Sequence, residues 1–201
     1  MPPEAAPVTT EQIPAVAGAL ARGFQDNEAW EWIIPDPKRR ARLLETRFAV
    51  MIEHVYIPRG GAWSTPDAAG GALWTPPGRV ELSLVEQLRE AASLFPGLGI
   101  GGLRRGSQMS AAMKAQHPTE PHYYLDTLSI DPPHQRRGYG SALIAPMLER
   151  ADAEGMPAYL ETQRRDNIPF YRRFGFEETG EIRLSGGPSL WAMWREPALP
   201  R

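Results

Sequence analysis

The chain of 201 residues contains no cysteine, and this absence removes several kinds of chemistry at once. Without a thiol there is no disulfide, no thiolate-ligated zinc or iron–sulfur centre, and no cysteine nucleophile to carry an acyl group. The four histidines, His54, His117, His122 and His134, lack the spacing of a zinc-protease motif. We therefore predict no bound metal, and we expect His122 and His134 at the surface.

A strong net charge of either sign and long apolar runs are also lacking. Lys and Arg number 22 and Asp and Glu number 24, which gives a formal net charge of −2. No global field attracts nucleic acid or an anionic membrane, so we predict neither partner. No apolar run is long enough to span a bilayer. Residues 1–7 show no basic segment followed by an apolar one, and we expect a cytoplasmic location.

Proline and glycine are plentiful, with 21 and 19 residues, but they are scattered and mark turns rather than a linker. We predict a flexible tail over residues 1–6 and a single domain over residues 7–201. Apolar periodicity predicts helices over residues 10–24, 38–55, 83–95, 139–154 and 167–174. A second, weaker helical piece is predicted up to residue 116, with glycine-rich joints at 97–102. Strands are predicted at residues 61–64, 72–74, 123–130, 158–162, 178–184 and 189–195. The order strand, loop, helix, strand over residues 123–162 predicts a parallel strand pair in a mixed α/β domain.

The loop between the first strand of this unit and its helix has the composition of an anion site. Gly138 and Gly140 let the backbone approach an anion closely, and the N–H groups of the next helix point at it. Arg136 and Arg137 add positive charge. These features suit a pyrophosphate, although a basic surface turn remains the alternative.

Two other phosphate loops fit the sequence less well. A P-loop requires Lys after its last glycine, whereas Gly140 is followed by Ser141 and Ala142. A dinucleotide fingerprint requires Gly or Ala where Leu143 stands, and it belongs at the first strand of its sheet.

Two motifs at a characteristic spacing carry a family resemblance. The first is Gln135-x-x-Gly138-x-Gly140, and the second is Asn167-x-x-x-Tyr171 followed by Phe174-Gly175-Phe176. Over residues 125–176 the chain resembles the GNAT superfamily of N-acetyltransferases, and within it the bacterial small-molecule group that includes puromycin acetyltransferase. The resemblance implies a mixed, mostly antiparallel twisted sheet with a central parallel strand pair, flanked by helices. It also implies direct transfer of an acetyl group from acetyl-CoA to an amine, within a ternary complex.

The resemblance further implies which residues contact the cofactor. The backbone of Leu128, Ser129 and Ile130 binds the pantetheine arm as an added strand. The pyrophosphate contacts are Gln135, Arg136, Arg137, Gly138, Tyr139, Gly140, Ser141 and Ala142. Asn167 and Tyr171, one helical turn apart, also contact the cofactor, and Tyr171 is placed as the acid that protonates the leaving thiolate. The alternative for Tyr171 is an aromatic side chain that only packs against the sheet.

The general base is left open among three carboxylates and a water relay. An amine arrives as an ammonium ion and must lose a proton before it attacks. Asp126 lies on the cofactor strand, where this superfamily often places its base, and Glu161 lies on the neighbouring strand. Glu120 is a third candidate. Tyr124 shares the face of Asp126 by the two-residue period of a strand and is expected to contact the acceptor.

The remaining acceptor contacts are predicted from tryptophans. Trp30 and Trp32 lie in an acidic segment, and Trp74 ends a predicted strand. Such side chains suit a cationic, partly apolar amine, although packing in the core is an equal alternative. A non-catalytic module that binds or senses acyl-CoA, an enzyme that transfers a longer acyl group, and a homodimer also remain open.

Overall fold

The computed structural model describes residues 4–198 and contains one seven-stranded sheet with the strand order β1-β2-β3-β4-β5-β7-β6. The strands are β1 (Ala6–Pro7), β2 (Ala62–Ser64), β3 (Gly70–Thr75), β4 (Tyr123–Ile130), β5 (Ala158–Thr162), β6 (Glu177–Arg183) and β7 (Ser189–Arg195). The helices are α1 (Ile13–Gly23), α2 (Glu28–Ile33), α3 (Pro37–Met51), α4 (Leu84–Gln116), α5 (Tyr139–Ala153) and α6 (Ile168–Arg172). In this part of the chain no helix combines the length and the apolar character needed to cross a membrane.

The pairing of the strands confirms the predicted fold class. Strands β4 and β5 are parallel, and every other neighbouring pair is antiparallel. The parallel pair results from the crossover through α5, as expected for a βαβ unit. The sheet therefore has the mixed, mostly antiparallel arrangement that the resemblance implies.

Local signals explain most of the helix boundaries. The side chain of Ser83 accepts from the Glu86 backbone N–H while Glu86 accepts from that of Ser83, which forms a capping box at the start of α4. Within α4, Gly99 leaves helical geometry at φ 65° and ψ 167°, inside the predicted joint. Helix α5 continues through Pro146, so the loss of one backbone hydrogen bond there does not end it.

Two short elements were not predicted. Residues 1–3 lie outside the described residues, but Ala6 pairs with Ser64 and Pro7 with Trp63, so the tail predicted over residues 1–6 does not include Ala6. Helix α2 is a further addition. It begins because the side chain of Asn27 accepts hydrogen bonds from two backbone N–H groups of the first turn.

Helices cover both faces of the sheet and bury its apolar side chains. Helices α5 and α6 pack on the face that carries Trp74, Tyr123 and Leu125, whereas α1 and α3 pack on the face that carries Leu73. Burial of one such large side chain contributes about 1.5–3 kcal/mol. This two-sided packing holds the central strands in place.

A bulge in β4 changes which side chains face each layer. Leu73 pairs with Thr127 but Trp74 pairs with Leu125, so Asp126 is the additional residue on its strand. As a result Leu128 packs in the same layer as Leu125, three residues away.

Strands β4 and β5 pair over three positions only. Their pairing begins at Tyr123 with Ala158 and ends at Leu125 with Leu160. Beyond that point β5 stays paired with β7 and β4 stays paired with β3. Among the described strands, none pairs with the β5-facing edge of residues 126–130, and this edge is called the open edge of β4 below.

We expect Asp152→Asn to reduce the free energy of unfolding by roughly 2–3 kcal/mol, because it leaves a buried guanidinium without its charged partner. Nη1 and Nη2 of Arg195 donate to the two Asp152 oxygens at 2.7 Å each, and Nε donates to the Phe174 carbonyl at 2.7 Å. Urea denaturation measures the loss. The exposed Glu149→Gln on the same helix is the control, and an equal loss there would contradict this account.

The Arg195–Asp152 ion pair also predicts how the stability difference between wild type and Asp152→Asn depends on pH. Arg195 lowers the pKa of Asp152 below its ordinary 3.8 in the folded chain. The stabilisation is therefore present above about pH 3.8 and is lost as the pH falls through the folded-state value. Wild type and Asp152→Asn should converge in stability in strong acid.

Candidate active site

The N-terminus of α5 presents an anion-binding surface. Gly138 occupies the N-cap position at φ 86°, and no side chain caps this end of the helix. The first four N–H groups of a helix, here those of residues 138–141, have no partner within the helix. Arg136 and Arg137 are exposed beside them, and Arg136 adopts φ 60°, a conformation that costs energy for a residue with a Cβ. Positive charge, the helix dipole and unpaired donors therefore converge on one point.

Side-chain contacts fix this loop to the sheet. Nε2 of Gln135 donates to the Ile130 carbonyl at 3.1 Å. The Tyr139 hydroxyl donates to Oδ2 of Asp67 at 2.7 Å, which connects the first residue of α5 to the β2–β3 turn. The end of β4 and the anion-binding surface are thereby held together.

The open edge of β4 leads away from that surface. Leu128, Ser129 and Ile130 are half-buried and lie on it. An unpaired strand edge offers backbone donors and acceptors to an extended chain that carries amides. Leu128, Ser129 and Ile130, which the resemblance assigns to the pantetheine arm, therefore lie where such an arm can bind.

Tyr171 lies in the apolar layer between α6 and the sheet, with 7% of its surface exposed. Its ring contacts those of Phe170 and Phe176 edge-on. Burial raises the pKa of the hydroxyl well above its usual value of 10, so it remains protonated at neutral pH. Asn167 is exposed at the end of the 3-10 turn that precedes α6.

A cavity of about 170 Å³ lies against the bulge in β4. Its lining consists of Arg47, Met51, Tyr56, Thr75, Val80, Leu82, Glu90, Tyr124 and Asp126. Nη2 and Nε of Arg47 donate to Oε1 of Glu90 at 2.7 and 3.0 Å, so these two charges are paired. The carboxylate of Asp126 accepts from the Thr127 hydroxyl at 2.8 Å and is the unmatched charge of the cavity.

The electrostatics of the cavity follow from its burial. Burial favours the neutral form of Arg47, but the charges of Glu90 and Asp126 outweigh it and raise the pKa of the guanidinium. Burial, followed by the charge of Asp126, raises the pKa of Tyr56. The cavity therefore keeps one excess negative charge, which favours a cationic occupant.

Glu161 is the first residue of β5 beyond the last position paired with β4, and it lies on the sheet face of Tyr159. Its side chain is only 1% exposed. Neither carboxylate oxygen accepts a well-formed hydrogen bond within residues 4–198. Burial raises the pKa of Tyr124 and of Tyr159, and the charge of Glu161 raises both further. The two tyrosine hydroxyls therefore lie near Glu161. Glu120, in contrast, is exposed.

Comparisons with known proteins agree with this geometry. Residues 84–176 match the acetyltransferase (GNAT) family. An uncharacterized N-acetyltransferase of Schizosaccharomyces pombe is 27% identical over 94% of this chain and 82% of its own length. A Corynebacterium glutamicum structure described as histone acetyltransferase HPA2 and related acetyltransferase superposes with a TM-score of 0.74, at 26% identity and with coverage of 100% and 99% of the two chains. Over residues 84–176, and in its whole fold, the chain is therefore similar to GNAT acetyltransferases.

A second solved N-acetyltransferase shares the fold at low identity. PaiA N-acetyltransferase of Thermoplasma acidophilum, in complex with coenzyme A, superposes with a TM-score of 0.59 at 11% identity over 98% of this chain and 99% of its own. Acetyl transfer to an amine is the general reaction of the superfamily. The finer grouping with puromycin acetyltransferase stays a prediction.

The three predicted acceptor tryptophans have different positions in the structure. Trp74 is 0% exposed and belongs to the core, so its position gives no support to an acceptor contact. The ring of Trp30 lies 5.4 Å from the guanidinium carbon of Arg47, which lines the cavity. Trp32 covers the β6–β7 turn, where a Cβ on Gly187 would lie 2.8 Å from its ring. Trp30 is therefore the tryptophan that supports the cavity wall.

The structure corrects the expectation for His122. It is 2% exposed rather than at the surface, and its Nε2 lies 3.1 Å from Nε2 of His117. Sequence reasoning gave His117 no role. The Nδ1 atom of His117 lies 3.8 Å from Oε1 of Glu161. The one sequence signal for this contact was the position of His117, which follows a long helix and precedes His122 by five residues.

Proposed function

We propose that this chain is an acetyl-CoA-dependent N-acetyltransferase whose acceptor is a small cationic amine bound in the Asp126 cavity. Acetyl-CoA supplies an activated acetyl thioester. The observation that carries the proposal is the continuity of three features along β4. The N-terminus of α5, the open edge of β4 and the acidic cavity at the bulge follow one another along a single strand.

The residues present fit the cofactor at both ends of this path. The unpaired N–H groups of α5 with Arg136 and Arg137 suit the pyrophosphate, and Gln135, Tyr139 and Ser141–Ala142 complete that loop. The backbone of Leu128–Ile130 suits the pantetheine amides. The PaiA structure of the same fold contains coenzyme A, which supports this assignment.

The acceptor end is defined by charge. With Arg47 paired to Glu90, Asp126 attracts the ammonium, and Tyr56 and Tyr124 line the walls. The ring of Trp30 packs against Arg47, which is part of the lining. Asp126 and Glu161 both remain candidates for the base at this stage, and the Tyr171 hydroxyl is the proton donor to the leaving sulfur. A cytoplasmic location and a homodimer stay predictions.

The test of the proposal is binding followed by turnover. Calorimetry with coenzyme A and acetyl-CoA measures the cofactor site, and release of free thiol reports acetylation across a library of primary amines. Micromolar binding together with turnover of a cationic amine is the expected result. Binding without turnover of any amine would favour the runner-up, a non-catalytic acyl-CoA-binding module, and no binding by the folded protein would overturn both.

We expect Asp126→Asn to raise the KM of the amine at least about tenfold, because the cavity loses the charge that attracts the ammonium. The Kd of acetyl-CoA should not change, because the contacts made by the β4 backbone and the loop remain. Steady-state kinetics and calorimetry measure the two quantities. Glu178→Gln, an exposed carboxylate on β6, is the control. An unchanged KM would remove Asp126 from the acceptor site.

A further inference from the structure

Five side chains form a buried cluster at the C-terminal end of α4, and the cofactor path does not use all of them. The cluster, called the His–Glu cluster, consists of His117, His122, Tyr124, Tyr159 and Glu161. The rings of Tyr124 and Tyr159 both lie edge-on to His117, with centroid distances of 4.9 and 5.0 Å. Within the described chain, no group of three or more His, Asp or Glu is arranged to hold a metal ion. The cluster contains two histidines, the side chains that most readily exchange protons near neutral pH, so proton transfer is the chemistry to consider.

Hydrogen bonding determines where the protons of the two histidines sit. Nδ1 of His122 lies 2.6 Å from the Glu120 carbonyl oxygen, which can only accept, so Nδ1 carries the hydrogen. Burial lowers the pKa of His122, which keeps its ring neutral and leaves a lone pair on Nε2. His117 must then donate from its own Nε2 across the 3.1 Å contact. In neutral His117 this places the lone pair on Nδ1.

The lone pair of His117 faces a second acceptor. Its Nδ1 lies 3.8 Å from Oε1 of Glu161, and that carboxylate is buried without a well-formed hydrogen bond among the described residues. Two acceptors that face each other in a buried site have room for one proton between them. An added proton also relieves the cost of a buried, poorly paired carboxylate.

Tyr124 connects this pair to the cavity. It lines the cavity beside Asp126. Burial raises the pKa of Tyr124, and the charges of Glu161 and Asp126 raise it further. Its hydroxyl therefore lies near both carboxylates. The other titratable groups that face the pair are Tyr159 on β5 and His122 on the loop before β4.

We propose that His117 and Glu161 form a proton-accepting pair that takes up the proton released by the acceptor ammonium, with His122 fixing the tautomer of His117. The inference rests on the proposed function. One N–H bond of the ammonium breaks, and its proton passes through the Tyr124 hydroxyl to Glu161 and rests between Oε1 and Nδ1. The amine keeps the electron pair and becomes nucleophilic. His117, whose side chain is 16% exposed, then releases the proton to water.

In this arrangement the two acids have separate tasks. Asp126 binds the ammonium, and Glu161 accepts its proton through Tyr124. His117 does not touch the substrate, so it is a positioning residue that sets the protonation of Glu161.

The first test needs no substrate. Long-range ¹H–¹⁵N spectra of histidine-labelled protein report which ring nitrogen of each histidine carries hydrogen, and single substitutions assign the four signals. We expect hydrogen on Nδ1 of His122 and on Nε2 of His117. Glu161→Gln should change the ¹⁵N chemical shift of Nδ1 of His117, because that nitrogen then faces an amide instead of a carboxylate. The opposite tautomers, or an unchanged Nδ1 signal in Glu161→Gln, would overturn the pair.

The second test uses the amine identified by the library screen. His117→Gln should lower kcat about 10- to 100-fold, within the range of acid–base effects, and should leave the KM of the amine nearly unchanged. It should also shift or remove the acidic limb of the pH profile of kcat/KM. His54→Gln is the matched control, since His54 lies on the turn after α3, apart from the cluster. A wild-type pH profile in His117→Gln would contradict the proposal, whereas failure of the function would appear earlier, as absent turnover.

Discussion

Gly138→Glu is expected to raise the Kd of coenzyme A at least about 100-fold, a loss of roughly 3 kcal/mol. Gly138 is the N-cap of α5 at φ 86°, so a side chain there is strained and stands beside the unpaired N–H groups of the first turn. A carboxylate in that position competes for the same donors and repels a pyrophosphate. Calorimetric titration with coenzyme A measures the change.

Two control variants separate the causes of that loss. Gly138→Gln has the same backbone strain without the charge, and we expect its Kd to lie between those of wild type and Gly138→Glu. Gly155→Glu places the same carboxylate beyond the other end of α5, at φ 63° and in open space, and should bind coenzyme A as wild type does. If Gly138→Glu also binds like wild type, the N-terminus of α5 is not the phosphate site.

The central part of the fold could be predicted because its signals are local. Alternation and flanking turn residues predicted β4 and β5 with the bounds observed, Tyr123–Ile130 and Ala158–Thr162. Gly138 and Gly140, at the N-cap and in the first turn of α5, predicted the start of this helix in the same way. A crossover of this length makes the two strands parallel, so the topology followed from the order of the elements.

Other features depend on contacts between distant residues and could not be predicted. The two-residue strand β1 exists because Val8 and its neighbours lie against β2, with Val8 N–H donating to the Ala62 carbonyl at 2.9 Å. The bulge at Asp126 follows from the register with β3 rather than from any property of β4 alone. Leu128 consequently lies in the layer of Leu125, which strict alternation along a strand would not produce.

The site was predicted unevenly for the same reason. Glu161 was one of three open candidates for the base, because the strand pattern showed its face but not its neighbours. His117 ends α4, and only folding brings it to 3.8 Å from Glu161. Glu161 follows His117 by 44 residues, so their contact has no local signal. His122 was placed at the surface because it stands at the end of a predicted strand.

Tyr171→Phe should lower kcat about 100-fold or more, the range for loss of a positioned proton donor, while the Kd of acetyl-CoA stays near that of wild type. Burial raises the pKa of Tyr171, and among the described residues no charged neighbour contributes to this shift. The hydroxyl therefore keeps its proton and can donate it to a sulfur that gains negative charge. Stopped-flow and steady-state thiol release measure the rate.

The position of Tyr171 also makes this substitution a clean test of chemistry. The ring packs in the core with 7% exposure, and Phe keeps that packing, so the melting temperature should stay within a few degrees of wild type. Because the pKa of the hydroxyl lies above 10, the wild-type rate should not fall between about pH 8 and 10 through loss of this proton. A folded Tyr171→Phe that retains the wild-type kcat would mean that the hydroxyl only packs against the sheet, and that the leaving sulfur takes its proton from the solvent or from the amine itself.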